Sequence, residues 1–272
     1  MPNDNSKVKS QKSKLISEIV TQTRIDVEER KRAISLETLK QTVKKSLIPS
    51  LFESAIAAPR KGDMALIAEI KLASPSEPSL GKPEEISKRA KEYEEAGVDA
   101  ISVVTEKHFF KGDPAYVGEV KLVTTLPVLQ KDFIIDPYQI YEAVDVRADA
   151  ILFIARLVTI EELVEFVDLA YTLGMVPVVE IQNDDDLEKA ISTAASIIAV
   201  NARDLDTMEV NVDSACELLQ KVPDEFTTLG FSGIVTKAEV EKYKQAGAEG
   251  VLVGTTLMKS EHIRGFLGGL RG

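Results

Sequence analysis

Little in this sequence can hold a metal or carry a redox reaction. The 272 residues include one cysteine, Cys216, two histidines, His108 and His262, and no tryptophan. A single thiol excludes an intrachain disulfide and suits a reducing compartment, so the expected location is the cytoplasm. Two histidines leave little from which to build a histidine-rich metal site or a Ser-His-Asp triad, so no metal is expected. A basic surplus is also missing. The 33 Lys and Arg face 44 Asp and Glu, a formal net charge of -11, which argues against a nucleic-acid partner. The same field would repel an anionic substrate, so local lysines and backbone amides must outweigh it. No apolar run approaches a membrane span, so no membrane partner is expected. The polar, lysine-rich stretch 1–14 lacks the apolar core of a signal peptide. No Gly-x-Gly-x-x-Gly follows the first strand-like run, which counts against a dinucleotide fold.

What is present is a regular alternation. Residues 1–13 read as a polar tail. An amphipathic helix follows over 15–33, with Leu15, Ile16, Ile19, Val20, Ile25 and Val27 among many charges. Ser35-Leu36-Glu37-Thr38 offers a weak helix start. Ser50 is the candidate N-cap of another helix, with Glu53 completing a capping box. Past about residue 60 the pattern changes. Apolar strand-like runs fall at 65–70, 100–104, 127–129, 150–154, 176–179, 197–200, 226–229 and 250–253. Helical segments separate them at 83–96, 115–123, 137–146, 159–173, 184–194, 212–219 and 237–246. The passage from helix to strand repeats its spelling in Gly97-Val98-Asp99-Ala100, Arg147-Ala148-Asp149-Ala150 and Gly247-Ala248-Glu249-Gly250. Eight such units in just over 200 residues predict an α/β fold, a (β/α)8 barrel over 61–272 with a tail and helical extension over 1–60. An open doubly wound sheet is the alternative.

In a barrel the chemistry sits at the carboxyl ends of the strands, and there the sequence places polar residues. The first run ends Glu69-Ile70-Lys71, with both charges on one face. A mutual ion pair is the purely structural explanation of these two. The third run ends at Lys131, and the fifth at Glu180. The sixth ends Asn201-Ala202-Arg203, again with two polar side chains on one face. The seventh ends in Ser232-Gly233 and the eighth in Gly254-Thr255, the layout of a barrel phosphate site. Two lysines and two glutamates without metal-ligating histidines suggest cofactor-free acid–base chemistry on a phosphorylated small molecule. A Schiff-base lysine of the aldolase kind is compatible with the same residues.

Several motifs resemble one family closely. They are Ile67-Ala68-Glu69-Ile70-Lys71, Ser74-Pro75-Ser76, the stretch from Lys131 through Asp132, Phe133, Asp136 and Pro137 to Ile140, Asn201-Ala202-Arg203-Asp204-Leu205 and Ser232-Gly233-Ile234. The chain resembles the indole-3-glycerol phosphate synthases of tryptophan biosynthesis. The resemblance implies closure of an indole ring on carboxyphenylamino-deoxyribulose phosphate with loss of carbon dioxide and water. It implies Lys131 as general acid, Glu180 and Lys71 as later proton-transfer groups, and Glu69 and Asn201 as positioning and charge-stabilising groups. Phe110, Phe133 and Leu152 would hold the anthranilate ring. Ser74, Arg203 and Ser232 would anchor the substrate, with Gly233, Gly254 and Thr255 at its phosphate. No cofactor is implied, and the expected state is a monomer or weak homo-oligomer. Two positions depart from the family's pattern. Glu77-Pro78 stands where a basic residue and glycine are usual, an expected stiffening of a lid and a repulsion toward an anion. Phe231 stands where a glutamate precedes the Ser-Gly, removing one carboxylate. A weakened relative that binds a phosphorylated ligand or serves as a scaffold is the competing reading, and another phosphate-binding barrel is a third.

Overall fold

The computed structural model describes residues 14–43 and 51–271, so the expected tail 1–13 and the Ser50 cap lie outside the described residues. Among the described residues three helices come first: α1 (Lys14–Ala33), α2 (Leu36–Thr42) and α3 (Phe52–Ala57). The weak start at Ser35 is a working N-cap, because its Oγ accepts from the Thr38 amide at 3.1 Å and satisfies one of the first-turn donors that a helix leaves unpaired.

Eight parallel strands follow. They are β1 (Ala65–Ile70), β2 (Ala100–Val104), β3 (Val128–Lys131), β4 (Ala150–Ile154), β5 (Val176–Ile181), β6 (Ile197–Asn201), β7 (Thr227–Phe231) and β8 (Gly250–Val253). They pair in chain order and β8 closes on β1, which excludes the open sheet. The helices between and after them are α4 (Ile86–Ala96), α5 (Ala115–Val123), α6 (Pro137–Asp145), α7 (Ile160–Leu173), α8 (Asp184–Ile191), α9 (Val212–Leu219), α10 (Lys237–Gln245), α11 (Thr255–Met258) and α12 (Ile263–Arg271).

The strands are mostly apolar on both faces because both are covered. Ile101, Val103, Ile151, Phe153 and Ile198 pack outward beneath the helices. Ile67, Leu129, Leu152, Val178, Ala199 and Leu229 fill the barrel, each large side chain contributing about 1.5–3 kcal/mol on burial. At the base, Phe52 and Ile56 of α3 join that inner cluster, and Glu53 accepts a hydrogen bond from Ser196 beside the start of β6.

The repeated acid before a strand has a physical task. Asp99 accepts from the Leu66 amide of β1 at 2.8 Å and from the Arg60 amide at 2.5 Å. Asp149 accepts from the Val128 amide of β3 at 2.8 Å and from Lys121 at 2.6 Å. Each carboxylate thus satisfies the first free amide of a neighbouring strand, which burial would otherwise leave costly.

Several strands run past their apolar stretch. β5 continues to Ile181 and β7 to Phe231. The cause is cross-strand pairing: Glu180 is in register with Ile154 and Ala199, and Asn201 with Phe231. The polar residues that end the apolar runs are therefore held inside the sheet rather than in loops.

Candidate active site

The cavity at the carboxyl ends of the strands has a volume of about 380 Å³, within the usual range for a small-molecule site. Glu69, Lys71, Ser74, Phe110, Lys131, Phe133, Glu180, Asn201, Arg203, Ser232, Gly233, Gly254 and Thr255 all line it. Leu152 does not. It is fully buried and in register with Val178, one layer below the Ile154–Glu180 pair. Ile154 occupies the wall where Leu152 was expected.

The charged groups form two sets on opposite sides of the barrel. At the end of β1, Lys71 Nζ lies 2.6 Å from Glu69 Oε1, so the expected ion pair is present. Burial pushes the Glu69 carboxyl up, but Lys71 and Lys131, the hydrogen bond from Lys71 and the charge of Arg203 together hold it below the ordinary carboxylate value. A Cβ on Gly254 would collide with Glu69 Oε1 and stand 3.0 Å from Lys71 Nζ, so only glycine lets this pair lie against the end of β8.

On the other side, Glu180 is almost fully buried. Its Oε1 accepts from Asn201 Nδ2 at 3.0 Å, and Asn201 Oδ1 accepts from the Arg203 amide at 3.0 Å. Its Oε2 has no hydrogen-bond partner and faces Lys131 Nζ at 4.0 Å. Burial raises the Glu180 pKa, and neither Lys131 nor the Asn201 hydrogen bond fully offsets it, with Glu69 adding to the rise. An unsatisfied buried carboxylate oxygen is costly and marks a place built for a proton or a ligand group. The lysine at the end of β3 is the nearest charged neighbour that could trade a proton in the same space.

The remaining wall is apolar. The Phe110 and Phe133 rings are tilted by 39° with centroids 6.1 Å apart, near Val104, Ile154, Phe231 and Leu252 of the strand ends. Leu15, Ile16 and Ile19 of α1 complete it. The 15–33 periodicity marked these three as an apolar face, but nothing in the sequence said that the face meets the mouth. The loop after β6 adds Leu205, Met208 and Val210.

At the ends of β7 and β8, Ser232 and Gly233 both have left-handed backbone, with φ of 68° and 78°. That conformation is costly for serine. Tyr243 Oη donates to the carbonyls of Phe231 at 3.1 Å and Ser232 at 3.0 Å, which fixes the turn. Thr256 Oγ1 donates to the Ile234 carbonyl at 3.1 Å and ties the two turns together.

The loop after β1 corrects one expectation. Glu77 is paired with Lys259 at 2.5 Å and stands outside the cavity wall, so it does not confront an anion at the mouth. The Pro78 carbonyl accepts from Lys111 Nζ at 2.8 Å, and the Ala73 amide donates to the Phe110 carbonyl at 3.1 Å. The segment is thus fastened to its neighbours. Among the described residues no group of three or more His, Cys, Asp and Glu is arranged to hold a metal, and no helix is long and apolar enough to cross a membrane.

Comparison with known proteins agrees with this geometry. The family model for indole-3-glycerol phosphate synthase matches residues 16–270. The chain belongs to the indole-3-glycerol phosphate synthase family. A relative of that name from Acetivibrio thermocellus is 39% identical over 256 residues, 93% of this chain and 98% of the relative. Another, from Ruminiclostridium cellulolyticum, is 37% identical over 260 residues, 95% of this chain and 99% of the relative. The family's barrel architecture extends to more distant structures. A 3-hexulose-6-phosphate synthase superposes with a TM-score of 0.61 at 16% identity, over 76% of this chain and 98% of that one. A tryptophan synthase α-subunit mutant from Pyrococcus furiosus gives 0.59 at 16% identity, over 77% of this chain and 98% of that one.

Proposed function

We propose that the chain is a carboxy-lyase of tryptophan biosynthesis, closing the indole ring of indole-3-glycerol phosphate from carboxyphenylamino-deoxyribulose phosphate. The observation that carries this reading is the facing pair of Lys131 and the unsatisfied Glu180 oxygen, 4.0 Å apart, beside an aromatic slot. Ring closure needs a proton at the carbonyl oxygen as the aromatic carbon attacks, an apolar bed for the ring, and an anchor for the phosphate. Lys131 supplies the proton, and the new carbon–carbon bond forms as the carbonyl becomes a hydroxyl. Loss of carbon dioxide from the attacking ring carbon restores aromaticity without a redox partner. The hydroxyl then leaves as water, taking up a proton, while the ring methylene beside the nitrogen gives one up to form the new double bond. Lys71 and Glu180, at the ends of β1 and β5 and so across the barrel from each other, are the donor and acceptor of this second step. Glu69 holds Lys71, and Asn201 holds Glu180.

The Phe110–Phe133 slot and Ile154 bed the anthranilate ring. Ser232, Gly233, Gly254 and Thr255 take the phosphate, with Ser74 and Arg203 anchoring the rest. The reading brings with it a division into an extension over 1–60 and a catalytic barrel over 61–272, a cytoplasmic location, and a monomer or weak homo-oligomer. The test is direct: the purified chain is given carboxyphenylamino-deoxyribulose phosphate and the fluorescent indole product is followed. Product formation at enzymic turnover is expected, and no product above the uncatalysed background would sink the assignment.

A further inference from the structure

The loop between β6 and α9 carries part of the cavity wall, yet its own residues do not explain what fixes it against the barrel. Within itself it is compact. Asp204 Oδ1 accepts from the amides of Asp206 and Thr207 at 2.8 and 2.7 Å. The Met208 amide donates to the Asp204 carbonyl at 2.7 Å. Arg203 Nη1 donates to the carbonyl of Met208 at 3.0 Å, and Met208 has left-handed backbone with φ of 61°. The guanidinium of Arg203 is therefore aimed only as well as the whole loop is placed.

Placement comes from three side chains that do not line the cavity. Gln182 lies two residues beyond Glu180, and its Nε2 donates to the Arg203 carbonyl at 2.5 Å. Its Oε1 accepts from Arg156 Nη1 at 2.8 Å. Arg156 Nη2 reaches Asp206 Oδ2, also at 2.8 Å. Arg156 belongs to the single turn Ala155–Leu157 directly after β4. One guanidinium thus spans the loops after β4, β5 and β6, and its rigid planar fork sets the distance between them. The Arg156–Asp206 pair is partly exposed, and such a pair contributes little to stability. Its value lies in geometry, because small misplacements of binding groups cost much more than the contact itself.

We propose that Arg156, Gln182 and Asp206 form a positioning clamp that holds Arg203, Leu205 and Met208 in their substrate-binding places. For its kinetic readout this rests on the synthase activity proposed above. Arg156→Ala should raise KM about tenfold while kcat stays within about twofold, the pattern of lost binding rather than lost chemistry. Amide hydrogen exchange over 203–209 should quicken in the unliganded variant, while β1 and β2 stay protected. Arg156→Lys keeps a charge opposite Asp206 but cannot also serve Gln182, so its KM should fall between the two. Asp206→Asn, a milder change, should shift KM and exchange in the same direction and covers the case in which Arg156→Ala fails to fold. Unchanged exchange over 203–209 in folded variants overturns the clamp, whether or not the wild type is a synthase. Quicker exchange with an unchanged KM overturns its role in positioning. A wild type without synthase activity refutes the activity reading and leaves the exchange result to decide the clamp.

Discussion

The two ends of this barrel both bury carboxylates, and they treat them in opposite ways. At the base, Asp99 accepts from two backbone amides and also meets Arg271 at 3.3 Å. At the mouth, Glu180 is buried to a similar degree, yet one of its oxygens has no hydrogen-bond partner. The base spends its acids on closing the sheet, whereas the mouth keeps one only partly satisfied beside a lysine. The difference separates residues that hold the barrel together from residues proposed to act in it, although both kinds sit next to apolar strands. Substitutions at the two ends should therefore split stability from activity.

The largest effect is expected at the mouth. Lys131→Ala should cut turnover by about two orders of magnitude or more, the usual scale for loss of a general acid, with the melting temperature little changed. Indole-product fluorescence and a thermal melt on the same preparation decide it, and near-normal turnover would remove Lys131 from its proposed role. Glu180→Gln sharpens the contrast. It should lower turnover to a similar degree and at the same time raise the melting temperature at neutral pH. The sign follows from linkage. Burial first, with Glu69 adding, holds the folded pKa of Glu180 above its ordinary value. Its stabilising protonated state is complete in acid and is lost as the pH rises through that folded pKa, leaving an ionised group that costs stability. The gain from Glu180→Gln should thus be absent near about pH 4 and grow toward about pH 8. A variant no more stable than wild type at neutral pH would mean that the unsatisfied oxygen carries no strain. The acid limb of wild-type turnover should, for the same reason, lie above the ordinary carboxylate range.

At the base the outcome should invert. Asp99→Ala strands the Leu66 and Arg60 amides and leaves Arg271 without its carboxylate, a loss of about 3 kcal/mol, while turnover per folded molecule stays near that of wild type. Chemical denaturation and the product assay test the two halves separately. A large drop in turnover with unchanged stability would undo the division between the ends.

The barrel itself was legible because most strands are short apolar runs and three of the helix-to-strand connections repeat one spelling. Glu69, Lys71, Lys131, Glu180, Asn201 and Arg203 were legible as well, since a charge that ends a buried strand has few places to go. Register was not. Whether Leu152 or Ile154 meets the cavity depends on which residue stands opposite Glu180, and cross-strand pairing leaves no mark in an apolar run. The contribution of Leu15, Ile16 and Ile19 was hidden too, because an amphipathic face does not say what it packs against. The same limit applies to Glu77: its charge was visible, but its partner Lys259 lies 182 residues away and took it out of the mouth.

The smallest effect, and the sharpest test of the comparison, concerns Phe231. It is in register with Asn201 on one side and Leu252 on the other, and it is almost completely buried in the wall. The resemblance implies a carboxylate here, whereas Phe231 gives this position of the mouth the apolar character of the barrel interior. A glutamate would stand next to Asn201, which already serves Glu180, and would add negative charge to steady the lysines. Phe231→Glu should raise turnover about tenfold, equivalent to about 1.4 kcal/mol of barrier. It should also lower the melting temperature, because an apolar ring gives way to a charge in a site of low dielectric. Both readings come from one pair of proteins, by steady-state product formation and a thermal melt. A folded Phe231→Glu variant with unchanged or lower turnover would assign Phe231 to the apolar slot itself, with the lysines held by Glu69 and Glu180 alone.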